Sequence, residues 1–334
     1  MIKNSVETPD FLTSRPRRNR RLSSIRSLVQ ETSLLPANLA APLFITENPV
    51  GKDPIPSLPD VYRFSLDELV KETKDLYRLG IRAVDLFPVI PKEKKDASGS
   101  EALRQGNLLE QALKRLKQEI PEMCLMVDVA LDPYTDHGHD GLVTKEGRID
   151  NDATLQVLSD MSVRAAEAGA DIIAPSDMMD GRVAHIRKSL DAAGFTNVGI
   201  LSYAAKYASS LYGPFRDALG SGVAFGDKKT YQMNPANVRE ALLESRLDEA
   251  EGADILLIKP ALSYLDVIAK VRAETNLPIA AYHVSGEYSM VLAAAEKGWL
   301  DADKVLMEHL VSIKRAGAGF ILTYAAKRCA RLLA

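Results

Sequence analysis

The chain lacks the cysteines that would build a disulfide framework or a zinc–thiolate site. Among its 334 residues only Cys124 and Cys329 are cysteines, and they fit no C-x-x-C or other zinc spacing. No apolar run reaches the roughly 20 residues that a membrane span requires. The N-terminus carries early charges and no hydrophobic signal core. We therefore expect a soluble, cytoplasmic protein with no membrane partner.

The chain also lacks an excess of charge of either sign. A net charge of -3 and a pI near 6.0 give no general case for a nucleic-acid or membrane partner. The exception is residues 1–35, where six arginines crowd a segment with weak periodicity: Arg15, Arg17, Arg18, Arg20, Arg21 and Arg26. We interpret 1–35 as an N-terminal arm that either contacts another subunit or is a solvated tail; the acidic remainder weighs against a nucleic-acid arm.

What the sequence does have is one recurring unit, from residue 39 onward. A helical segment ends in glycine and a short apolar strand follows, as at Gly169 and Gly252. The candidate strands are 39–46, 83–90, 124–131, 170–177, 197–204, 253–260, 278–285 and 319–326. Repeated βα units require right-handed crossovers and a parallel sheet. Eight of them predict a (β/α)8 TIM barrel as the catalytic domain, residues 36–334.

The alternative is an open, doubly wound sheet. That fold would normally carry a glycine-rich phosphate turn after its first strand. Here the first candidate strand continues into Thr46-Glu47-Asn48-Pro49, and the nearest match, from Gly220 to Gly226, has the wrong spacing. The closed barrel is therefore favoured.

Two lysines follow neighbouring candidate strands, at the end where such barrels build their active sites. Lys259 ends the apolar run 255–258, and Lys206 follows strand 197–204. Burial lowers the pKa of a lysine, each positive charge lowers the pKa of the other, and a neutral amine attacks carbonyls. The alternative is a lysine that reaches solvent or pairs with a carboxylate. The pair predicts imine chemistry on a ketone or aldehyde.

The long segment 207–236, after the fifth strand, is glycine-rich and basic. Arg216, Lys228 and Lys229 could hold a substrate carboxylate. An insertion at a barrel mouth is typical of a lid that excludes water. The alternative is a surface loop with a basic face.

Residues 128–141 concentrate carboxylates and imidazoles: Asp128, Asp132, Asp136, Asp140, His137 and His139. Hard oxygen ligands would suit magnesium, and histidine with aspartate could suit zinc. The absence of a thiolate disfavours a soft zinc site. An ordinary acidic loop is the alternative.

Several motifs together resemble the porphobilinogen synthase (5-aminolevulinate dehydratase) family, from about residue 15 to the end. They are Ser202-Tyr203-Ala204-Ala205-Lys206, Ile258-Lys259-Pro260, Ala174-Pro175-Ser176-Asp177, Tyr231-Gln232-Met233-Asn234-Pro235 and Val284-Ser285-Gly286-Glu287-Tyr288. The resemblance implies condensation of two 5-aminolevulinate molecules to porphobilinogen with loss of two waters, a lyase step of haem, chlorophyll and cobalamin synthesis.

The resemblance also implies roles for particular residues. Lys259 would form the imine with the substrate that supplies the propionate side, and Lys206 the imine with the other substrate. Ser285 and Tyr324 match the binders of the first carboxylate; Arg216 and Lys228, with Gln232 close by, match those of the second. General acid or base help from Asp128, Asp132 or Asp140 is a hypothesis for the geometry to decide.

The chain departs from the zinc-dependent branch of that family, whose three cysteines fall at Ala130, Asp132 and Asp140 here. It therefore resembles the magnesium-responsive branch: no zinc is expected, and Glu244 matches the protein ligand of an activating Mg2+ near a subunit contact. A monovalent cation or second Mg2+ at Asp132 and Asp140 is left open. The family further implies a homo-octamer built from arm-wrapped dimers, which favours the subunit-contact interpretation of residues 1–35.

Two other functions compete with this one. A class I aldolase or another Schiff-base lyase on the same barrel would need one imine lysine, so Lys206 would be dispensable. A non-catalytic barrel used as a scaffold would keep ordinary lysine pKa values and form no carbonyl adduct.

Overall fold

The structure, a computed structural model, describes residues 14–49 and 51–333, and the chain divides into two compact units, Met1–Ser33 and Leu34–Ala334. The first unit has a 3-10 turn, Pro16–Arg20, and a short helix α1, Ser23–Leu28, neither of which buries a residue. Residues 1–13 of the expected arm lie outside the described residues. None of the helices in the described part of the chain is long and apolar enough to cross a membrane.

The second unit is built on ten strands within the described residues. They are β1 Leu39–Thr46, β2 Lys52–Pro54, β3 Tyr62–Phe64, β4 Ala83–Val89, β5 Cys124–Val129, β6 Ile172–Pro175, β7 Gly199–Lys206, β8 Ile255–Lys259, β9 Ile279–His283 and β10 Phe320–Thr323. From β4 to β10 each strand pairs in parallel with the next, β1 pairs with β4, and β10 pairs with β1 to close the sheet. The predicted (β/α)8 TIM barrel is confirmed, with β2 and β3 forming a small antiparallel ribbon beside β1.

Helices follow the barrel strands and cover the sheet. They are α2 Leu66–Arg78, α3 Leu108–Glu119, α4 Asn151–Ala168, α5 Arg182–Ala192, α6 Gly213–Leu219, α7 Arg239–Ala250, α8 Leu265–Glu274, α9 Ser285–Glu296, α10 Ala302–Ala316 and α11 Ala326–Leu333. In α2 the Ser65 side chain accepts a hydrogen bond from the Glu68 backbone N–H, and Leu69 and Leu76 bury one face. Gly169 ends α4 at a φ of 107°, a left-handed conformation that glycine adopts without strain.

Two of the differences between the predicted and the observed strand ends affect the site. The fifth barrel strand runs to Lys206 rather than stopping at residue 204, so Lys206 belongs to the ladder and pairs with Lys259. The seventh ends at His283, and Ser285 starts helix α9 rather than ending a strand. An apolar run cannot reveal where a chain turns from strand into helix.

Candidate active site

Strands β7 and β8 bring Lys206 and Lys259 together as direct cross-strand partners. An irregularity in the register between Ser202 and Ala205 lets Tyr203 and Lys206 face the same side, although strict alternation over three residues would separate them. The Lys206 and Lys259 residues are 6% and 5% exposed. Both line one cavity, together with Asp128, Asp132, Ser176, Tyr212, Phe215, Arg216, Lys228 and Gln232.

Lys259 is surrounded by aromatic rings. Its Nζ lies 4.3 Å from the ring centre of Tyr282, and 5.0 to 5.4 Å from those of Phe215, Tyr203 and Tyr212. Among the described residues it has no ion-pair partner. Burial, and then the charge of Lys206, lower the pKa of Lys259 to about 8. A substantial fraction of this amine is therefore neutral near physiological pH.

Lys206 has the opposite surroundings. Its Nζ donates to the Ser176 carbonyl oxygen and lies 3.3 Å from Oδ2 of Asp140. The second oxygen of Asp140 accepts a 2.6 Å hydrogen bond from Lys228 Nζ, which also reaches Asp132 at 3.3 Å. Burial opposes ionisation of Asp140, but Lys206 and Lys228 outweigh it and lower the pKa of Asp140 to about 2. The Lys206 cation is thus balanced by a carboxylate.

Asp128 is the carboxyl group in the cavity that is best suited to move a proton. It accepts a 2.9 Å hydrogen bond from the Ser176 hydroxyl. Burial raises the pKa of Asp128 to about 6, against the opposing charges of Lys259 and Lys206. A carboxyl group that titrates near neutral pH can both accept and return a proton during a reaction.

The predicted carboxylate binders fall into two sets. Arg216, Lys228 and Gln232 line the cavity, and Oε1 of Gln232 is buried without a hydrogen-bond partner in the described part of the chain. Ser285 and Tyr324 contact two residues whose rings lie beside Lys259, Phe215 and Tyr282 respectively. The Ser285 hydroxyl accepts from the Phe215 N–H and donates to the Leu211 carbonyl, both at 3.1 Å. The Tyr324 hydroxyl is 3.1 Å from that of Tyr282.

The histidines of segment 128–141 contact backbone and side-chain groups of other segments. His139 contacts the Tyr231 hydroxyl through Nδ1 and the Phe225 carbonyl through Nε2, each at 3.1 Å. His137 Nε2 lies 3.3 Å from the Ala97 carbonyl. Across residues 14–49 and 51–333, no group of three or more His, Cys, Asp or Glu side chains is arranged to hold a metal ion. His139 thus joins this segment to the predicted lid, and His137 joins it to residue 97.

Glu244 lies apart from the cavity, on α7. Its carboxylate is half-buried and makes no hydrogen bond or ion pair with any residue that the structure describes. Burial, and then Asp248, raise the pKa of Glu244 to about 7, with Asp180 and Glu240 adding to the effect and Arg182 opposing it. The neighbouring carboxylates thus make the surroundings of Glu244 negative, and Arg182 offsets part of their effect.

Sequence reasoning missed Asp85, which is fully buried on β4. One of its oxygens accepts a 3.4 Å hydrogen bond from the Tyr203 hydroxyl, and the other has no partner among the described residues. Burial, and then Asp128, raise the pKa of Asp85 well above its ordinary value, which favours the neutral form of this carboxyl group. An aspartate within the apolar strand 83–89 was the signal that could have identified it.

Comparison with known proteins gives consistent findings. A family model described as delta-aminolevulinic acid dehydratase matches residues 13–332. The delta-aminolevulinic acid dehydratase of Chlamydia pneumoniae is 53% identical over 322 residues, 96% of this chain and 97% of that protein. A rice protein with the same name, described as chloroplastic, is 53% identical over 97% of this chain and 76% of its own length. A crystal structure of the Toxoplasma gondii enzyme (porphobilinogen synthase) with its reaction product porphobilinogen is 49% identical, covers 96% of this chain and 92% of that one, and superposes with a TM-score of 0.94.

Proposed function

The chain belongs to the delta-aminolevulinic acid dehydratase (porphobilinogen synthase) family, and from that premise we propose that Lys259 and Lys206 are the two amines that carry its reaction. The enzyme is a lyase that condenses two 5-aminolevulinate molecules to porphobilinogen with loss of two waters. Each substrate carries a ketone, a carboxylate and an amine. The site must therefore activate two ketones and orient two carboxylates.

The observation that carries this proposal is the direct pairing of Lys206 with Lys259 at the edge of one cavity. An amine that attacks a ketone gives a carbinolamine, which loses water to form an imine. An imine draws electrons from the adjacent carbon, so a proton can leave that carbon and a C–C bond can form. Two imines on adjacent strands would hold the two substrates side by side for that step.

Proton transfer is assigned to Asp128. Burial raises the pKa of Asp128, and the charges of both lysines lower it. The resulting pKa of about 6 suits proton transfer in both directions. Asp140 and Asp132 are held by Lys206 and Lys228 as ion pairs, so we assign them to charge balance around Lys206. Arg216, Lys228 and Gln232 would orient one carboxylate, and Ser285 with Tyr324 the other.

Reductive trapping tests the two amines. The protein is incubated with 5-aminolevulinate, reduced with borohydride, and the adducts are located by peptide mass. We expect adducts on Lys259 and Lys206, and porphobilinogen in an unreduced sample. Lys229 is the matched control, since its side chain is 75% exposed and paired with Asp227. An adduct on Lys259 alone, with no porphobilinogen, would point to a lyase with a single imine.

We further propose that an activating Mg2+ binds at Glu244. A single carboxylate suits this ion, which usually keeps several of its waters. The negative surroundings of Glu244 fit a cation, whose charge would offset the repulsion from Asp248. The ion would supply electrostatic stabilisation of α7 rather than chemistry. A second cation at Asp132 and Asp140 stays a prediction from the sequence, as does the expectation of no zinc. Lys206 and Lys228 together already pair with these two carboxylates.

Thermal unfolding with and without MgCl2 tests this site independently of activity. We expect added magnesium to raise the unfolding temperature of the wild type and to have little effect on Glu244→Gln. Glu249→Gln, an exposed position on the same helix, is the control and should respond like the wild type. Equal responses in all three proteins would remove Glu244 as the ligand.

We also propose assembly into a homo-octamer through the arm. Leu28 is 84% exposed, and Leu22 and Val29 are also exposed, next to the arginines of the arm. Apolar and arginine side chains together suit a protein–protein contact. Sedimentation of the full chain and of a variant lacking residues 1–33 tests this: the variant should form smaller particles. The expected cytoplasmic location stays a prediction, since the similar rice protein is described as chloroplastic.

A further inference from the structure

A second cavity opens outside the catalytic one, on the far side of Arg216. We name it the outer cavity and define it by Lys92, Lys95, Arg216, Gly138 and Gly222. Arg216 lines both cavities. Asp136 and Asp217 also line the outer cavity, and both are exposed.

Within residues 14–49 and 51–333, the cations of the outer cavity have no carboxylate partner. In the part of the chain that the structure describes, Lys92, Lys95 and Arg216 form no ion pair. Lys95 and Arg216 are half-buried, and the Lys95 ammonium donates to the Gly220 carbonyl, at 3.1 Å. Burial of an unpaired cation is unfavourable, and an anion that binds between the three groups would relieve that cost.

Two glycines shape the wall of the outer cavity, and one of them, Gly222, faces open space. A Cβ at Gly138 would lie 2.5 Å from the Gly222 carbonyl oxygen, so loop 131–141 and the lid segment approach each other here without intervening side chains. At Gly222 itself a Cβ would meet no atom within 4 Å, so this position faces open space.

We propose that the outer cavity is a second binding site for the carboxylate of an incoming 5-aminolevulinate molecule, which Arg216 then shares with the catalytic cavity. This inference rests on the proposed function. Lys92 and Lys95 attract and hold the carboxylate, and the planar guanidinium of Arg216 can bind it from either side. The outer cavity thus raises the local concentration of substrate beside the lid.

The test compares two neighbouring lysines, Lys95 and Lys94, of which only Lys95 lines the outer cavity. Lys95→Met removes a cation of the outer cavity. Lys94→Met removes the same charge from a residue that pairs with Glu47 at 2.6 Å and does not line the cavity. We expect Lys95→Met to raise KM about tenfold with kcat unchanged, as for loss of one charge-assisted hydrogen bond, and the difference to shrink at high salt. Lys94→Met should match the wild type.

Gly222→Val gives a second test that leaves every charge in place. Its side chain would enter the outer cavity without backbone strain, and we expect KM to rise as in Lys95→Met. Equal KM values for the Lys95 and Lys94 variants, or a fall in kcat at unchanged KM, would overturn the proposal. A change confined to inhibition by porphobilinogen would also overturn it, since the site would then serve the product. Absence of porphobilinogen from the wild-type protein would instead refute the proposed function.

Discussion

Lys259 and Lys206 are the same residue type on adjacent strands, yet they lie in opposite electrostatic surroundings. Lys259 contacts four aromatic rings and no carboxylate among the described residues, whereas Lys206 is held by Asp140 and the Ser176 carbonyl. Aromatic faces attract a cation less strongly than water does, so they offset only a small part of the free-energy cost of burying the Lys259 ammonium. We infer that Lys259 is the amine that reacts first, because the Lys206 amine is engaged by Asp140 and by the Ser176 carbonyl.

Removal of either amine should have the largest effect. Lys259→Met and Lys206→Met should each lower kcat by more than about 10³-fold, since covalent activation of one ketone is lost. The two variants should differ in trapping: Lys206→Met should still form an adduct at Lys259, because Lys259 does not depend on Asp140. A steady-state assay with peptide mass analysis measures both. Loss of trapping at Lys259 in Lys206→Met would show that the two amines are not separable.

Asp128→Asn should have the next largest effect. A group that titrates near pH 6 and transfers protons typically contributes 10²- to 10⁴-fold to the rate, and kcat should fall within about that range. The part of the acid limb of the pH–rate profile that lies near pH 6 should disappear as well. Ser176→Ala, which removes only the hydrogen bond to Asp128, should shift that limb to higher pH with a smaller loss of rate. An unchanged acid limb in Asp128→Asn would assign the titration to another group.

Substitution of the two lysines should change the free energy of unfolding in opposite directions. In the folded protein the pKa of Lys259 is about 8, below the ordinary value of 10.5. Between these two pH values the unfolded chain binds one proton more than the folded chain. The destabilisation by Lys259 therefore grows as the pH falls and is complete below about pH 8. Lys259→Met should therefore stabilise the protein at pH 7 by about 1–3 kcal/mol. Lys206→Met should destabilise it, because Asp140 loses one of its two cations. Denaturant unfolding at pH 7 measures both; changes of the same sign would contradict the difference in surroundings.

The smallest effect on kcat is expected from substitution of Asp85. Because burial favours the neutral form of Asp85, Asp85→Asn replaces that form by a neutral group of similar shape. The kcat should stay within about tenfold of the wild type, and the pH dependence of trapping at Lys259 should not move. A shift of that pH dependence would mean that Asp85 is ionised and helps to set the charge of Lys259.

Much of the fold was predictable because apolar runs and helix-ending glycines mark each βα unit. Strand 39–46 was predicted with its observed bounds, and the eight barrel strands all lie within their predicted ranges except at β7. The ribbon of β2 and β3 was not predicted, since each strand has three residues and little apolar pattern. The order of the strands follows from parallel pairing and right-handed crossovers.

The site was predictable in its lysines but not in their surroundings. Lys259 and Lys206 follow from their position at strand ends. The aromatic rings around Lys259 do not, because Tyr203 and Lys206 face one side only through the irregularity after Ser202, which strict alternation would not reveal. The pairing of Lys228 with Asp140 joins residues 88 positions apart, and such contacts depend on the folded chain.

The central inference is the difference in reactivity between the two amines, and pH-resolved trapping tests it most directly. The protein would be exposed briefly to levulinate, a ketone acid without the amine of the substrate, at a series of pH values, reduced with borohydride, and analysed by peptide mass. We expect the adduct at Lys259 to reach half its maximum near pH 8 and to form faster than the adduct at Lys206 at every pH below it. Equal rates at the two lysines, or faster labelling of Lys206, would contradict the inference.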